Sequence, residues 1–249
     1  MGQRRTQKLE IKGIGDNKTI DELFENLSEE DSLHIDENIN AILNKPASNE
    51  KNVLKSLYES GVTNFNQKNF DEAKKYFQQV IGNDRYHASE ARSYLALISY
   101  IHGDGYTMDK WMEKVNPNEI SRNLQFNFGV YNFILTFYED VNFDEKLNDS
   151  YVYFIKALDI SKTSRTDVED DEILRWMGVI LRAKDSFEVA LQYFNYSLDV
   201  NQKNAKTHAD MAYTYDLMKL PELASDHARK ATKLDHESFF IPLKRAGFF

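Results

Sequence analysis

"NFDEAKKYFQQVI" (Asn69–Ile81) and "SFEVALQYFNYSL" (Ser186–Leu198) spell one pattern, Phe-Asp/Glu-x-Ala-x-x-Tyr-Phe-x-x-x-Ile/Leu, at two distant places in the chain. A spacing written twice marks a structural unit used twice, so its period comes before any other reading. Gly61 stands 12 residues before Ala73 and Gly178 stands 12 before Ala190; in both cases a phenylalanine, Phe77 or Phe194, follows the alanine by four. The frame continues at Ala212, which lies 34 after Gly178 and 12 before Ala224. Between the echoes, Ala96 follows Gly61 by 35, Gly129 follows Ala96 by 33, and Gly178 follows Gly129 by 49. The last step is one period of 34 plus 15, so the two echoes are three units and one insertion apart.

Composition agrees with a helical array. Of 249 residues, 41% are hydrophobic and 29% charged, which fits an ordinary soluble chain and not a disordered one. Four prolines, ten glycines and few alternating Val-rich stretches favour helices over sheets. No apolar run approaches the roughly 20 residues of a membrane span. The opening "MGQRRTQKLEIKGIGDNKT" lacks the apolar core of a secretory signal. "MGQRRT" fits the loose pattern for acylation at Gly2, but so short a pattern arises often by chance, and a plain flexible start is the preferred reading. There is no cysteine, which removes disulfides, thiol catalysis and cysteine-bound zinc and fits a cytoplasmic location. A net charge of −9 argues against nucleic acid as the partner, because phosphate binding needs clustered Lys and Arg.

The 34-residue frame resembles the tetratricopeptide repeat, a pair of antiparallel helices. The resemblance rests on Gly61, Phe70, Ala73 and Phe77; on Gly178, Phe187, Ala190 and Phe194; and on Ala212, Tyr215, Ala224 and Ala231. It implies an all-α fold, a right-handed α-solenoid of about five helix-turn-helix units over residues 51–237, with units near 54–87, 89–118, 122–163, 171–204 and 205–237. Small residues at the Gly61- and Ala73-type positions let paired helices approach closely. No unit can bury its apolar face alone, so units stack and share one core. The second unit departs from the pattern, with Asp109 near the alanine place and Pro117 closing a short helix. The third has Ser150 in that place and must absorb the insertion around "TFYEDVNFDEKLND". Residues 1–18 read as a flexible start and 19–50 as N-terminal helices, on the capping box of Thr19 and Glu22 and the apolar face of Ile20, Leu23, Phe24 and Leu27. The apolar "SFFIPLKRAGFF" (residues 238–249) reads as a cap on the last unit.

Nothing in the chain spells catalysis. Of the histidines at 34, 87, 102, 208, 227 and 236, no two have the helical spacing of a His-Glu-x-x-His zinc site. His208 and Asp210, two apart on a predicted helix, face different ways. "HGDGY" (His102–Tyr106) reads as a turn between helices. "DVEDDE" (Asp167–Glu172) reads as the acidic first turn of a helix. No enzyme, cofactor or metal is expected.

In tetratricopeptide arrays the first helix of each pair lines a concave groove. The resemblance therefore implies a partner-binding groove of Tyr58, Val62 and Phe65; Leu97, Tyr100 and Ile101; Phe126, Val130, Phe133 and Ile134; Arg175, Val179 and Arg182; and Lys206, Tyr213 and Asp216. Val62, Leu97, Val130 and Val179 stand where asparagine is usual, an apolar stripe that is either open to a ligand or covered by the chain's own segments. The two-carboxylate clamp of chaperone-tail binders is missing, with Tyr58, Val62 and Tyr94 where Lys, Asn and Asn belong. The first unit is also similar to tetratricopeptide chaperones of type III secretion translocators, through Leu57-Tyr58, Phe65 with Gln67, Asp71-Glu72-Ala73 and Asp84-Arg85-Tyr86. The function so implied is a non-enzymatic scaffold or adaptor that binds a protein or peptide, or a cytoplasmic holding chaperone for a secreted client. No nucleic acid and no membrane span is expected, and the oligomeric state is open, a homodimer included.

Overall fold

The computed structural model describes residues 52–82, 87–116, 119–138 and 140–235. Among these there are ten helices and no strand. They are α1 (52–66), α2 (Phe70–Gly82), α3 (Ala88–Ile101), α4 (Gly105–Met112), α5 (Arg122–Leu135), α6 (Phe143–Asp159), α7 (Asp170–Ala183), α8 (Phe187–Val200), α9 (Ala205–Leu217) and α10 (Pro221–Leu234). The expected helices of residues 19–50, the acylation pattern at Gly2, Pro117, the Asp84–Tyr86 break and the cap at 238–249 lie outside the described residues.

The helices pair in chain order and the pairs stack, and the spacing read from the sequence has a direct cause. A Cβ built on Gly61 would stand 2.7 Å from the Phe77 ring, one on Gly129 2.7 Å from Phe154, and one on Gly178 2.5 Å from Phe194. Each phenylalanine comes from the second helix of its pair and is fully buried against the backbone of the first. Where the frame has Ala96 instead, the slimmer Met112 shares its core cluster and leaves room for a methyl group. In two pairs the same phenylalanine reaches the next pair as well: Phe77 stacks on Tyr94 of α3 at 4.8 Å, and Phe154 on Trp176 of α7 at 5.9 Å. The core is thus a chain of interfaces, each shared by neighbouring pairs.

Turns repeat as faithfully as contacts. Lys68, Gly103, Asp185 and Lys219 all have positive φ (64°, 83°, 56° and 62°), and each follows its small frame residue by seven. Each closes the preceding helix with the same two bonds; in the first, Lys68 N donates to Phe65 O (3.0 Å) and Asn69 N to Asn64 O (2.9 Å). The third pair lacks this turn. Thr136, Phe137 and Tyr138 continue with short three-residue bonds, and α6 starts late under a cap in which Asn142 accepts from Glu145 N at 3.2 Å.

The 15-residue insertion is split. Gly129 to Ser150 takes 21 positions against the usual 12, and Ser150 to Gly178 takes 28 against the 22 from Ala190 to Ala212. The first part lengthens the turn and α6; the second forms a crossing segment between α6 and α7, residues 160–169. Ser150 fills the alanine place, buried, with its hydroxyl donating to Gly129 O at 2.7 Å. In the second pair the packed position is Met108, fully buried, while Asp109 beside it accepts from Tyr131 Oη at 3.0 Å.

Candidate functional site

The first helices α1, α3, α5, α7 and α9 carry the residues expected to line a groove, and packing claims many of them. Tyr58, Val62, Leu97, Ile134 and Val179 are buried, each at 6% exposure or less. Phe65, Tyr100, Ile101, Phe126, Val130, Phe133 and Tyr213 are half-buried. Phe65 meets Tyr94 edge-on at 5.0 Å and Phe133 meets Trp176 at 5.4 Å, so even these help join one pair to the next. Lys206 and Asp216 are exposed.

Close to Tyr58 and the start of α5, the chain itself lies over the residues expected to line a groove. Arg122, at the start of α5 and 4% exposed, gathers the crossing segment: Nε donates to Val168 O (2.8 Å), and Nη1 to Ile160 O (2.6 Å) and Ala157 O (3.1 Å). Its Nη2 pairs with Asp170. A guanidinium has five donors in a fixed fork, which is what allows one side chain to hold four acceptors. Next to it, Asn123 Nδ2 donates to Thr166 O (3.0 Å) and to Tyr58 Oη (2.9 Å), while its Oδ1 accepts from Val168 N (2.8 Å). Between this segment and the first pair lies a cavity of about 420 Å³ whose walls include Lys55, Tyr58, Glu59, His87 and Glu90. Tyr58 stacks on His87 at 4.4 Å. A hydrogen bond to the buried Glu90 raises the His87 pKa, and burial raises that of Tyr58.

Between α7 and α9 the contact includes a set of ion pairs. Arg175 of α7 donates to both Glu172 oxygens (3.1 and 2.8 Å) and through Nη1 to Asp210 Oδ2 of α9 at 2.6 Å. Arg182, two helical turns further along the same face, donates to Asp210 Oδ1 at 2.9 Å and to Asp210 O at 3.1 Å. It also lies over the Tyr213 ring at 4.8 Å. Lys206 reaches Glu172 at 3.3 Å. Burial alone would raise the Glu172 carboxyl, but Arg175 and Lys206 outweigh it and hold the pKa at about 2. The two arginines expected to line a groove, Arg175 and Arg182, are each engaged by a carboxylate of the same chain. Asp210 occupies the frame position that Tyr94 and Trp176 fill in earlier pairs, two before the small residue, so a charged joint replaces an aromatic one.

On the other side of α9, His208 Nδ1 lies 3.1 Å from His227 Nδ1 of α10. As expected from their spacing, His208 and Asp210 point to different neighbours. The imidazole pair itself was not legible in sequence, because its members sit 19 positions apart on two helices. Burial lowers both pKa values, that of His227 to about 4, with Lys230 adding to the effect. Among the described residues, no three or more His, Asp or Glu side chains gather as metal ligands would.

Residues 54–87 match the family model of the tetratricopeptide repeat. The array has the tetratricopeptide fold. Among solved structures, the tetratricopeptide protein TTC0263 of Thermus thermophilus superposes with a TM-score of 0.58 at 12% identity, over 78% of this chain and 97% of that one. PilF of Pseudomonas aeruginosa gives 0.51 at 15% identity, over 79% and 92%. The type IV pilus biogenesis factor PilW gives 0.51 at 16%, over 73% and 77%. At such identities the likeness is one of fold. No curated protein matches the chain in sequence. Among the described residues of this tetratricopeptide array, no helix is long and apolar enough to cross a membrane.

Proposed function

We propose that the chain is a non-enzymatic scaffold that holds a protein or peptide against the first helices of its repeats. The observation that carries this reading is the tetratricopeptide fold, which spreads one face over successive helix pairs instead of folding around a single pocket. The most buried charges fit a structural role: Arg175, Glu172, Asp210 and Arg182 neutralise one another within the array. The candidate docking residues are drawn from those of the expected set that keep part of their surface, among them Phe65, Tyr100, Phe126, Phe133, Lys206 and Tyr213. The acidic balance of the chain favours a basic partner, and the absence of cysteine supports a reducing compartment such as the cytoplasm. A holding chaperone for an apolar client is less favoured, because Val62, Leu97 and Val179 are buried and offer such a client no open wall.

Photo-crosslinking in cells tests the reading without disturbing the core. A benzophenone amino acid placed at Lys206 or Tyr213 is expected to capture a partner. The same group at Val189 or Tyr196, exposed on the second helix α8, is not. Capture from α8 alone, or from no position, would refute groove binding.

A further inference from the structure

The crossing segment has the bonding of a bound peptide, not of a core element. Asn123 holds it by backbone groups alone, accepting from the N–H of Val168 and donating to the C=O of Thr166 where the turn of residues 164–167 ends, a pair that another backbone can offer whatever its side chains. Residues 161–167 bury no apolar side chain; Ser161, Lys162, Thr163 and Arg165 are exposed. Their local order is internal: Asp167 Oδ2 accepts from Thr163 N (2.7 Å) and Ser164 N (2.8 Å), and Asp167 N donates to Ser164 O (3.2 Å). Both ends are fixed separately, since Arg122 grips Ile160 O and Val168 O. Between the segment and the first pair is a half-open cleft of about 420 Å³. A stretch with few apolar contacts, tied at both ends and bordering an open cleft belongs to the class that opens without global unfolding.

We infer that residues 161–167 are a displaceable strap lying over Tyr58 and Asn123, and that a partner segment presenting the same turn-end backbone pair binds there by taking over the Asn123 amide and the Tyr58 hydroxyl. This deepens, and rests on, the scaffold reading: the first three repeats would be closed until a partner outcompetes the strap, and affinity would depend on how readily it lifts.

The chain contains no cysteine, so a thiol introduced under the strap reports its opening cleanly. Glu90→Cys places one in the cavity wall. Labelling by a bulky maleimide under native conditions is expected to be at least ~100-fold slower than in a second variant whose residues 161–167 are a glycine-serine linker, and to be nearly independent of low urea. In the linker variant, a synthetic peptide of residues 160–168 at millimolar concentration is expected to slow labelling about fivefold or more; in the intact chain it should have little effect. Circular dichroism verifies the fold of both. Labelling that tracks global unfolding in urea, equal rates with and without the strap, or no protection by the peptide would each overturn the inference. No partner is needed, so groove crosslinking can succeed while the strap proves fixed, and the two ideas fail separately.

Discussion

A glycine and a phenylalanine, read together, define the unit of this protein. Gly61, Gly129 and Gly178 are required by the ring that lies on each of them and not by backbone freedom. Gly178→Ala would put a methyl group 2.5 Å from a fully buried ring with no space to retreat, and should cost roughly 1–3 kcal/mol in urea unfolding. Adding Phe194→Leu should recover part of that loss, which a general helix-propensity effect would not allow, since alanine is the better helix former. An unchanged or raised stability in Gly178→Ala would refute the close-approach account. These positions were legible because sterics permit so few residues there. Asp210 was not: in sequence it is one polar residue on a helix, and only the stacking of α9 on α7 shows that it meets two arginines. The same holds for Val62, Leu97 and Val179, whose apolar character reads equally as groove wall or as core until neighbouring pairs are placed.

Among the elements, the turns separate regular from irregular pairs. Four pairs close through a residue of positive φ, and the pair carrying the insertion does not. Sequence located the insertion at its first part but not the share between α6 and α7, because polar residues such as "SKTSRTD" carry no periodicity to betray a contact. The α9–α10 contact leads to a pH prediction. His208 and His227 take up protons less readily when folded, so what they contribute to stability is full above about pH 6.5, their ordinary value, and is lost as pH falls towards 4. The groups bearing on the pair are Lys230, Asp226, Tyr215 and the backbone of Gln202. Glu172 acts in a lower window, its contribution present above about 4.5 and lost towards 2. His87 has the opposite sign, with stability present below 6.5 and lost as pH rises through its elevated folded value. The Tm should therefore fall between pH 6.5 and 4.5, and His227→Gln should flatten that fall by removing the most depressed group. A fall of equal depth in the variant would exclude the imidazole pair as its source.

For the whole molecule, stability is a sum over pairs and joints, and the joints differ in kind. Up to α7 their cores are aromatic and aliphatic; between α7 and α9 the buried Arg175–Asp210 pair stands beside an apolar cluster of Val179, Phe194 and Met211. Removing one partner of a buried ion pair typically costs about 3–5 kcal/mol, because the charge left behind is unsolvated. Asp210→Asn should thus loosen α9 and α10 ahead of the rest. Native-state hydrogen exchange in low urea is expected to show those two helices opening as a separate unit in the variant, while α5 to α8 keep their protection. Uniform loss along the chain would show that the array unfolds as one block.

The strap's anchorage has a consequence for inheritance of shape. Because Arg122 knots both ends of residues 160–168 to the foot of α5, the extra length between the third and fourth pairs is folded aside as a side loop and not spent on distance. Later variants could lengthen or rewrite that loop, and with it the choice of what the array admits, while the stacking on either side stays undisturbed.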